Sequence, residues 1–408
     1  MAVLMRVTRN MSALKRTLTR SLGNIPLEPF KSVFNPALVD AYRVCITRCF
    51  SSFDGLGFEQ AILPNLDALE LKDRSNLLAQ ALHAYLPKSP DARERILLAI
   101  LHPKGWGDSA IESSHDGISG WGVMPITTLV GQYGLGGLSR ELEALKAMTG
   151  HFTSEFAIRF LILKDPTQVL ATLQRWVSDP DPHVRRLVSE GTRPRLPWAM
   201  QLPVFIENPD AVLPLLRALR DDESEYVRRS VANHLNDIAK DHPDRIAQLA
   251  CDWMQALEQQ SVNAEEAKRR ERLVKHACRT LIKQGHPLAL TAFGIQAPQL
   301  AVVSLSVTTP KVNMGEALVF ELTIQSGADA PQKLIIDYLL YFKKANGKVA
   351  PKVFKWSQQT LAAGATLTLQ RKHGIRPITT RKYYAGEQQL AVRINGRDYP
   401  AKPFALVI

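Results

Sequence analysis

A 43-residue internal repeat constrains this chain more than any other feature. The stretch Asp179-Pro180-Asp181-Pro182-His183-Val184-Arg185-Arg186 returns as Asp221-Asp222-Glu223-Ser224-Glu225-Tyr226-Val227-Arg228-Arg229. Val184, Arg185 and Arg186 thus map onto Val227, Arg228 and Arg229 at a constant offset of 43. A weaker copy follows, in which Arg229 maps onto Arg272 and Val231 onto Val274. A period of roughly 40–47 residues built of helix pairs is the signature of HEAT and armadillo arrays. One helix pair cannot bury its apolar face; stacked pairs share a core and leave equivalent side chains in columns on a curved surface. The offset predicts one column of Arg186, Arg229 and Arg272 and another of Glu190, Asn233 and His276. Two fates stay open for the arginines: phosphates of a polyanion, or the acidic starts of their own and neighbouring repeats.

Helical spacing extends upstream. Leu38, Tyr42, Cys45, Ile46 and Cys49 predict a helix over 37–51, and similar patterns cover 75–86, 92–101, 139–148, 153–163 and 166–176. Residues 104–125, rich in Gly, Ser, His and Asp, break the pattern and read as a functional loop. After Gly294 the period shortens to two. Segments 300–308, 317–325, 332–342, 366–371 and 388–394 alternate apolar with polar, divided by turn signals such as Ala345-Asn346-Gly347-Lys348 and Asn395-Gly396. The expected chain is mainly α: a basic N-terminal arm over 1–24, a HEAT-like repeat α-solenoid over 25–294, and an immunoglobulin-like β-sandwich over 296–408 that lacks a Cys…Trp…Cys framework.

Charge narrows the partner. The 408 residues carry a formal net charge of +12. From residue 296 onward, 15 Lys and Arg face 6 Asp and Glu, so 15 − 6 = +9 of that charge lies in the last quarter. Such an excess suits nucleic acid or anionic lipid. No apolar run approaches the roughly 18 residues of a membrane span. Cys45, Cys49, Cys251 and Cys278 form no C-x-x-C pair. No Cys/His cluster suits a metal and no Gly-rich loop suits a phosphate, so no cofactor is expected, and a reduced cytoplasm is the natural compartment. The N-terminal segment carries Arg6, Arg9, Lys15, Arg16 and Arg20 without an acid; a transit peptide, a DNA-touching arm and a frayed end all remain open.

Four blocks carry a resemblance: Phe152-Thr153-Ser154-Glu155-Phe156-Ala157-Ile158-Arg159, Ser189-Glu190-Gly191-Thr192-Arg193-Pro194-Arg195-Leu196-Pro197-Trp198, Tyr226 through Lys240, and His276-Ala277-Cys278-Arg279-Thr280-Leu281-Ile282-Lys283. In this order they resemble the AlkC branch of the AlkC/AlkD bacterial alkylation-repair glycosylases, some of which end in an immunoglobulin-like module. The resemblance implies a monofunctional, monomeric DNA glycosylase acting on double-stranded DNA with small cationic lesions, chiefly 3-methyladenine and also 3-methylcytosine. It further implies that the duplex is gripped and kinked without the base being flipped into a deep pocket.

The chemistry calls for carboxylates. A cationic base leaves readily, so the demand is for negative charge against an oxocarbenium-like sugar and for a positioned water. Glu155 is the first candidate, with the helix-start carboxylate as its structural alternative. Glu190 and Asp237 follow; Asn233 and Asp237 lie four apart on one helical face. Trp198 and Trp121 are candidates for stacking on the lesion, with core packing as the alternative. Arg159, Arg186, Arg193, Arg195, Arg228, Arg229, Asn233, His276, Arg279, Lys283, Lys343 and Lys344 are the DNA-contact candidates. No lysine is placed for Schiff-base lyase chemistry. The competing reading is a non-catalytic HEAT-repeat scaffold that binds DNA or another protein.

Overall fold

Proline placed immediately after a capping side chain starts helix after helix in this chain. Asn35-Pro36, Ser89-Pro90, Asp165-Pro166 and Asp181-Pro182 each put an oxygen acceptor at the cap and a residue without an N–H at the first helical position. The computed structural model describes residues 30–105, 112–259, 263–345, 349–378 and 381–408. The basic arm over 1–24 and turn residues 346–348 lie outside these. The chain divides into two compact units between Asp237 and Ile238.

The first unit is helical: α1 (Pro36–Cys49), α2 (Gly55–Leu66), α3 (Leu71–Tyr85), α4 (Pro90–Ala99), α5 (Val123–Tyr133), α6 (Leu138–Thr149), α7 (Ile158–Lys164), α8 (Pro166–Trp176), α9 (Pro182–Gly191), α10 (Pro203–Glu207), α11 (Leu213–Ala218) and α12 (Glu225–Ile238). The 43-residue offset is met in the packing. Val188 and Val231, one offset apart, are both fully buried. His183 and Tyr226, also one offset apart, meet edge to face with ring centroids 5.6 Å apart.

Two sequence expectations change here. The helix expected over 153–163 begins only at Ile158. Ser154 donates to the Leu145 carbonyl at 2.8 Å and its N–H bonds Thr149 Oγ1 at 3.3 Å, which pins Thr153–Ala157 as a turn. Short hydroxyl side chains compete with the helix for backbone partners. The loop expected over 104–125 ends early as well. Gly120–Gly122 forms a 3-10 turn and Val123 opens α5, buried continuously from Val123 to Val130.

The second unit contains α13 (Pro243–Gln259), α14 (Ala264–Ala277), α15 (Arg279–Gln284), α16 (Pro287–Thr291) and a two-sheet sandwich. Its strands are β1 (Leu300–Val307), β2 (Lys311–Asn313), β3 (Ala317–Ser326), β4 (Gln332–Lys343), β5 (Val349–Leu361), β6 (Thr366–Gly374), β7 (Gly386–Ile394), β8 (Arg397–Asp398) and β9 (Lys402–Val407). One sheet has the order β1-β3-β6 and the other β2-β9-β7-β4-β5, with β8 paired to β7. Strict alternation drives the assembly: Leu318, Phe320, Leu322 and Ile324 of β3 point into a core shared with Leu334, Ile336, Tyr338 and Leu340 of β4.

The helices and the sandwich of this unit touch backbone to backbone. Gly285 (φ +79°), which caps α15, and Gly396 (φ +82°), in the β7–β8 turn, lie so close that a Cβ on Gly396 would meet the Gly285 carbonyl oxygen at 2.4 Å. Arg393 donates to the carbonyls of Lys283 (3.1 Å) and Gln284 (3.4 Å), and Asn395 to Gln296 and Lys333, both at 2.8 Å. Only glycine tolerates both this conformation and this approach.

Candidate active site

Three segments of the first unit deliver three carboxylates to one buried lattice. The turn before α7 carries Glu155. Helix α9 carries Arg186 and Glu190, one turn apart. Helix α12 carries Tyr226, Ser230, Asn233, His234 and Asp237, and the loop between α9 and α10 carries Arg193 and Trp198.

Arg186 bonds Glu155 at 2.5 Å, donates to Thr153 Oγ1 at 2.9 Å, and lies 3.5 Å from Glu190. Thr153 in turn donates to Glu155 at 2.8 Å. Arg193 bridges Glu190 at 2.6 Å and Asp237 at 2.7 Å. Ser230 donates to the second Glu190 oxygen at 2.6 Å. The Tyr226 ring centroid lies 5.2 Å from the Arg186 guanidinium, a cation–π contact. Glu155, Glu190 and Asp237 are at most 3% exposed. Buried charge survives only when paired and hydrogen-bonded, and here three carboxylates share two guanidiniums.

Electrostatics keep Glu190 ionised. Burial alone would raise Glu190, but Arg186 and Arg193 outweigh it and hold the carboxyl at about 2. Burial also works against Arg193, which Glu190 and Asp237 raise above its usual value. His234 goes the other way: burial, then Arg193, push its imidazole down to about 3. Its Nδ1 donates to the Ser189 carbonyl at 2.9 Å, and Nε2 has no partner.

An imidazole held near 3 in the fold, against 6.5 ordinarily, binds fewer protons folded than unfolded between those values. Stability must therefore fall as pH drops from 6.5 towards 3, with His234 contributing up to about 1.4 kcal/mol per pH unit. Thermal midpoints compared at pH 7 and pH 5 should fall less in His234→Gln than in the parent. Equal falls would mean that this imidazole takes up its proton within the fold.

Among the sequence candidates, the structure brings Glu155, Glu190 and Asp237 together, with Asn233 buried on the same helix as Asp237. Trp198 is 51% exposed, at φ +67°. Trp121 is not an open stacking face: Phe30 and Phe152 take its ring at 5.0 and 4.9 Å.

The arginine column is corrected. Arg186 and Arg193 are buried in the lattice, and Arg159 is 0% exposed. Arg159 donates to the carbonyls of Met200 (2.8 and 2.5 Å), Gly191 (3.0 Å) and Arg193 (2.7 Å), so it has no face for phosphate. Burial, reinforced by Arg193, lowers it to about 10. Arg185 pairs bidentately with Asp222 of the next repeat at 2.7 and 3.0 Å, and Arg228 donates to the Asp222 and Glu223 carbonyls. Arg185 and Arg228 follow the second fate, meeting the acidic start of a repeat, whereas Arg186 turns inward to Glu155 and Glu190. Arg229 is exposed and pairs with Glu225, and Arg195 is half-buried in its loop.

In the second unit His276, Arg279, Lys283, Lys343 and Lys344 are exposed. Arg279 donates to the His276 carbonyl at 2.7 Å. Lys343 and Lys344 line a cavity of about 460 Å³ together with Phe342, Lys352, Arg381 and Lys382. The Arg381 guanidinium lies 4.5 Å from the Phe342 ring centroid, and among the described residues no acidic one lines the cavity.

Sequence reasoning missed the roles of Thr153, Tyr226, Ser230 and His234. Tyr226 had a signal, since a ring one offset from His183 belongs to the same column. Among the described residues no His, Cys, Asp and Glu grouping suits a metal, and no helix is long and apolar enough to cross a membrane.

Comparison with known proteins places the chain. The chain is 33% identical to the Pseudomonas fluorescens alkylpurine DNA glycosylase AlkC, solved bound to DNA containing an abasic site analogue; the match covers 93% of this chain and 100% of that one, with a TM-score of 0.75. The chain belongs to the AlkC family. Its immunoglobulin-like end is shared too: residues 301–408 match the family described as the C-terminal Ig-like domain of the uncharacterised protein YhaZ. The Bacillus subtilis uncharacterized protein YhaZ is 34% identical over 368 residues, spanning 90% of this chain and 96% of that protein. A HEAT-like helical body and a C-terminal Ig-like domain are thus the architecture of this AlkC family member.

Proposed function

We propose that this chain is a monofunctional DNA glycosylase that hydrolyses the N-glycosidic bond of cationic alkylated bases in double-stranded DNA, chiefly 3-methyladenine and also 3-methylcytosine, without flipping the base. It acts as a monomer in the cytoplasm. The observation that carries this reading is the convergence of Glu155, Glu190 and Asp237 from three separate segments into one lattice. Preorganised negative charge is the largest contribution expected for a sugar that becomes cationic as the base departs. Water is the nucleophile. Asp237, with Asn233 beside it, orients that water, while Glu155 and Glu190 face the developing charge. Trp198 stacks against the duplex at the lesion. The AlkC relative, solved on abasic-analogue DNA, supports the choice of polymer.

One observation favours a second reading, a DNA-binding scaffold without hydrolysis: Glu155 and Glu190 are already engaged by guanidiniums. Incubation of the pure chain with methylated duplex, followed by chromatography of liberated bases, separates the two. Release of 3-methyladenine supports the glycosylase; retention of duplex without release supports the scaffold.

The β cavity is assigned to the phosphate backbone. Replacing Lys343, Lys344 and Arg381 together by Gln should flatten the dependence of log K on log salt by about 0.9 for each phosphate contact removed. Binding titrations across a salt series measure it, and an unchanged slope would take the cavity out of the interface.

A further inference from the structure

The loop that presents Trp198 is held from beneath by a side chain with no role in the chemistry. Arg159, at 0% exposure, is the largest of the fully buried side chains among the described residues. Its Nη1 bonds the carbonyls of Gly191 and Arg193, where the loop leaves α9, and its Nε and Nη2 bond the carbonyl of Met200, where the loop ends. Between these ends Leu196 is 5% exposed and Leu202 N–H bonds the Pro194 carbonyl at 3.1 Å. Pro194 and Pro197 remove further freedom. Trp198 is left outward at φ +67°, a conformation that a bulky side chain holds only where its surroundings over-determine it.

We propose that Arg159 is a positioning residue: by tying the carbonyls of Gly191, Arg193 and Met200 to one guanidinium, it presets Trp198 in solvent before DNA arrives. The inference rests on the assignment of Trp198 to the duplex. A preset ring spares the ordering of a loop on binding. Arginine is required because its planar fork reaches three carbonyls at once, whereas the single ammonium of lysine cannot span them.

The test uses the full chain labelled with 5-fluorotryptophan. Its six tryptophans give separate fluorine lines, and Trp198→Phe identifies the line of Trp198. Arg159→Lys should broaden or shift that line and leave those of Trp176 and Trp253 in place. Affinity for a duplex with an abasic analogue should fall about tenfold in Arg159→Lys and about tenfold in Trp198→Ala, while the double variant falls no further than either alone, because both act through one ring. Additive losses, or a Trp198 line that stays put, would overturn the proposal and leave Arg159 as a folding residue only. If Arg159→Lys fails to fold, the parent spectrum decides. Fluorine relaxation of the Trp198 line as fast as that of Trp176 and Trp253 supports a preset loop, and relaxation as slow as that of free 5-fluorotryptophan refutes it. These readouts need no base release, so a chain that binds duplex without hydrolysis fails the functional proposal while still testing this one.

Discussion

Glu155→Gln is expected to lower base release from methylated duplex by at least about 100-fold, the loss typical of removing one preorganised electrostatic group. The replacement keeps the shape of the side chain and deletes the negative charge. Duplex affinity should barely move, because Glu155 is 3% exposed and faces Arg186. Stability should fall by no more than the low end of the about 3–5 kcal/mol that follows from breaking a buried ion pair. Arg186 keeps Thr153, Glu190 and the Tyr226 ring as partners. Single-turnover release and equilibrium binding on the same preparation make the measurement. Undiminished release would remove Glu155 from the chemistry.

Arg193→Met should produce the largest loss of stability. One guanidinium serves both Glu190 and Asp237, at 2.6 and 2.7 Å, and all three groups are at most 3% exposed. Removing it leaves two buried carboxylates short of a cation, worth about 3–5 kcal/mol. In a unit of this size that corresponds to a melting point lower by roughly 10 °C. Arg193→Lys should fall between, since an ammonium satisfies one carboxylate well and the other poorly. A melting point within 2 °C or so of the parent would mean that the lattice does not bear on folding, since a buried pair of this kind costs more than that to break.

The period of 43 was legible because burial enforces it: Val188 and Val231 must be buried in their repeats, and nothing else repeats so strictly along the chain. The acidic members of the site were legible for a related reason, as carboxylates set among apolar neighbours. The destination of the arginines was not. Arg185 and Arg186 are adjacent, so they leave α9 about 100° apart, and sequence alone does not say which of them meets the next repeat and which meets Glu155. Glu155 read as helical because Thr153–Leu163 has helical spacing, but hydrogen bonds from Ser154 and to Thr149 won locally. In the sandwich, five strands were visible from alternation, whereas the short β2, β8 and β9 and the long β5 were not. Strand β5 is the last strand of its sheet path, and Pro351, Lys352 and Lys355 suit an edge rather than a half-buried strand.

The glycine-on-glycine contact between Gly285 and Gly396 sets where this protein can be cut. A fragment beginning near residue 296 would strip away the surface on which the β7–β8 turn rests and the carbonyls that hold Arg393. Grafting the Ig-like module onto a different helical body therefore means transplanting α13 to α16 along with it. The transferable piece starts near Ile238, some sixty residues ahead of the first strand.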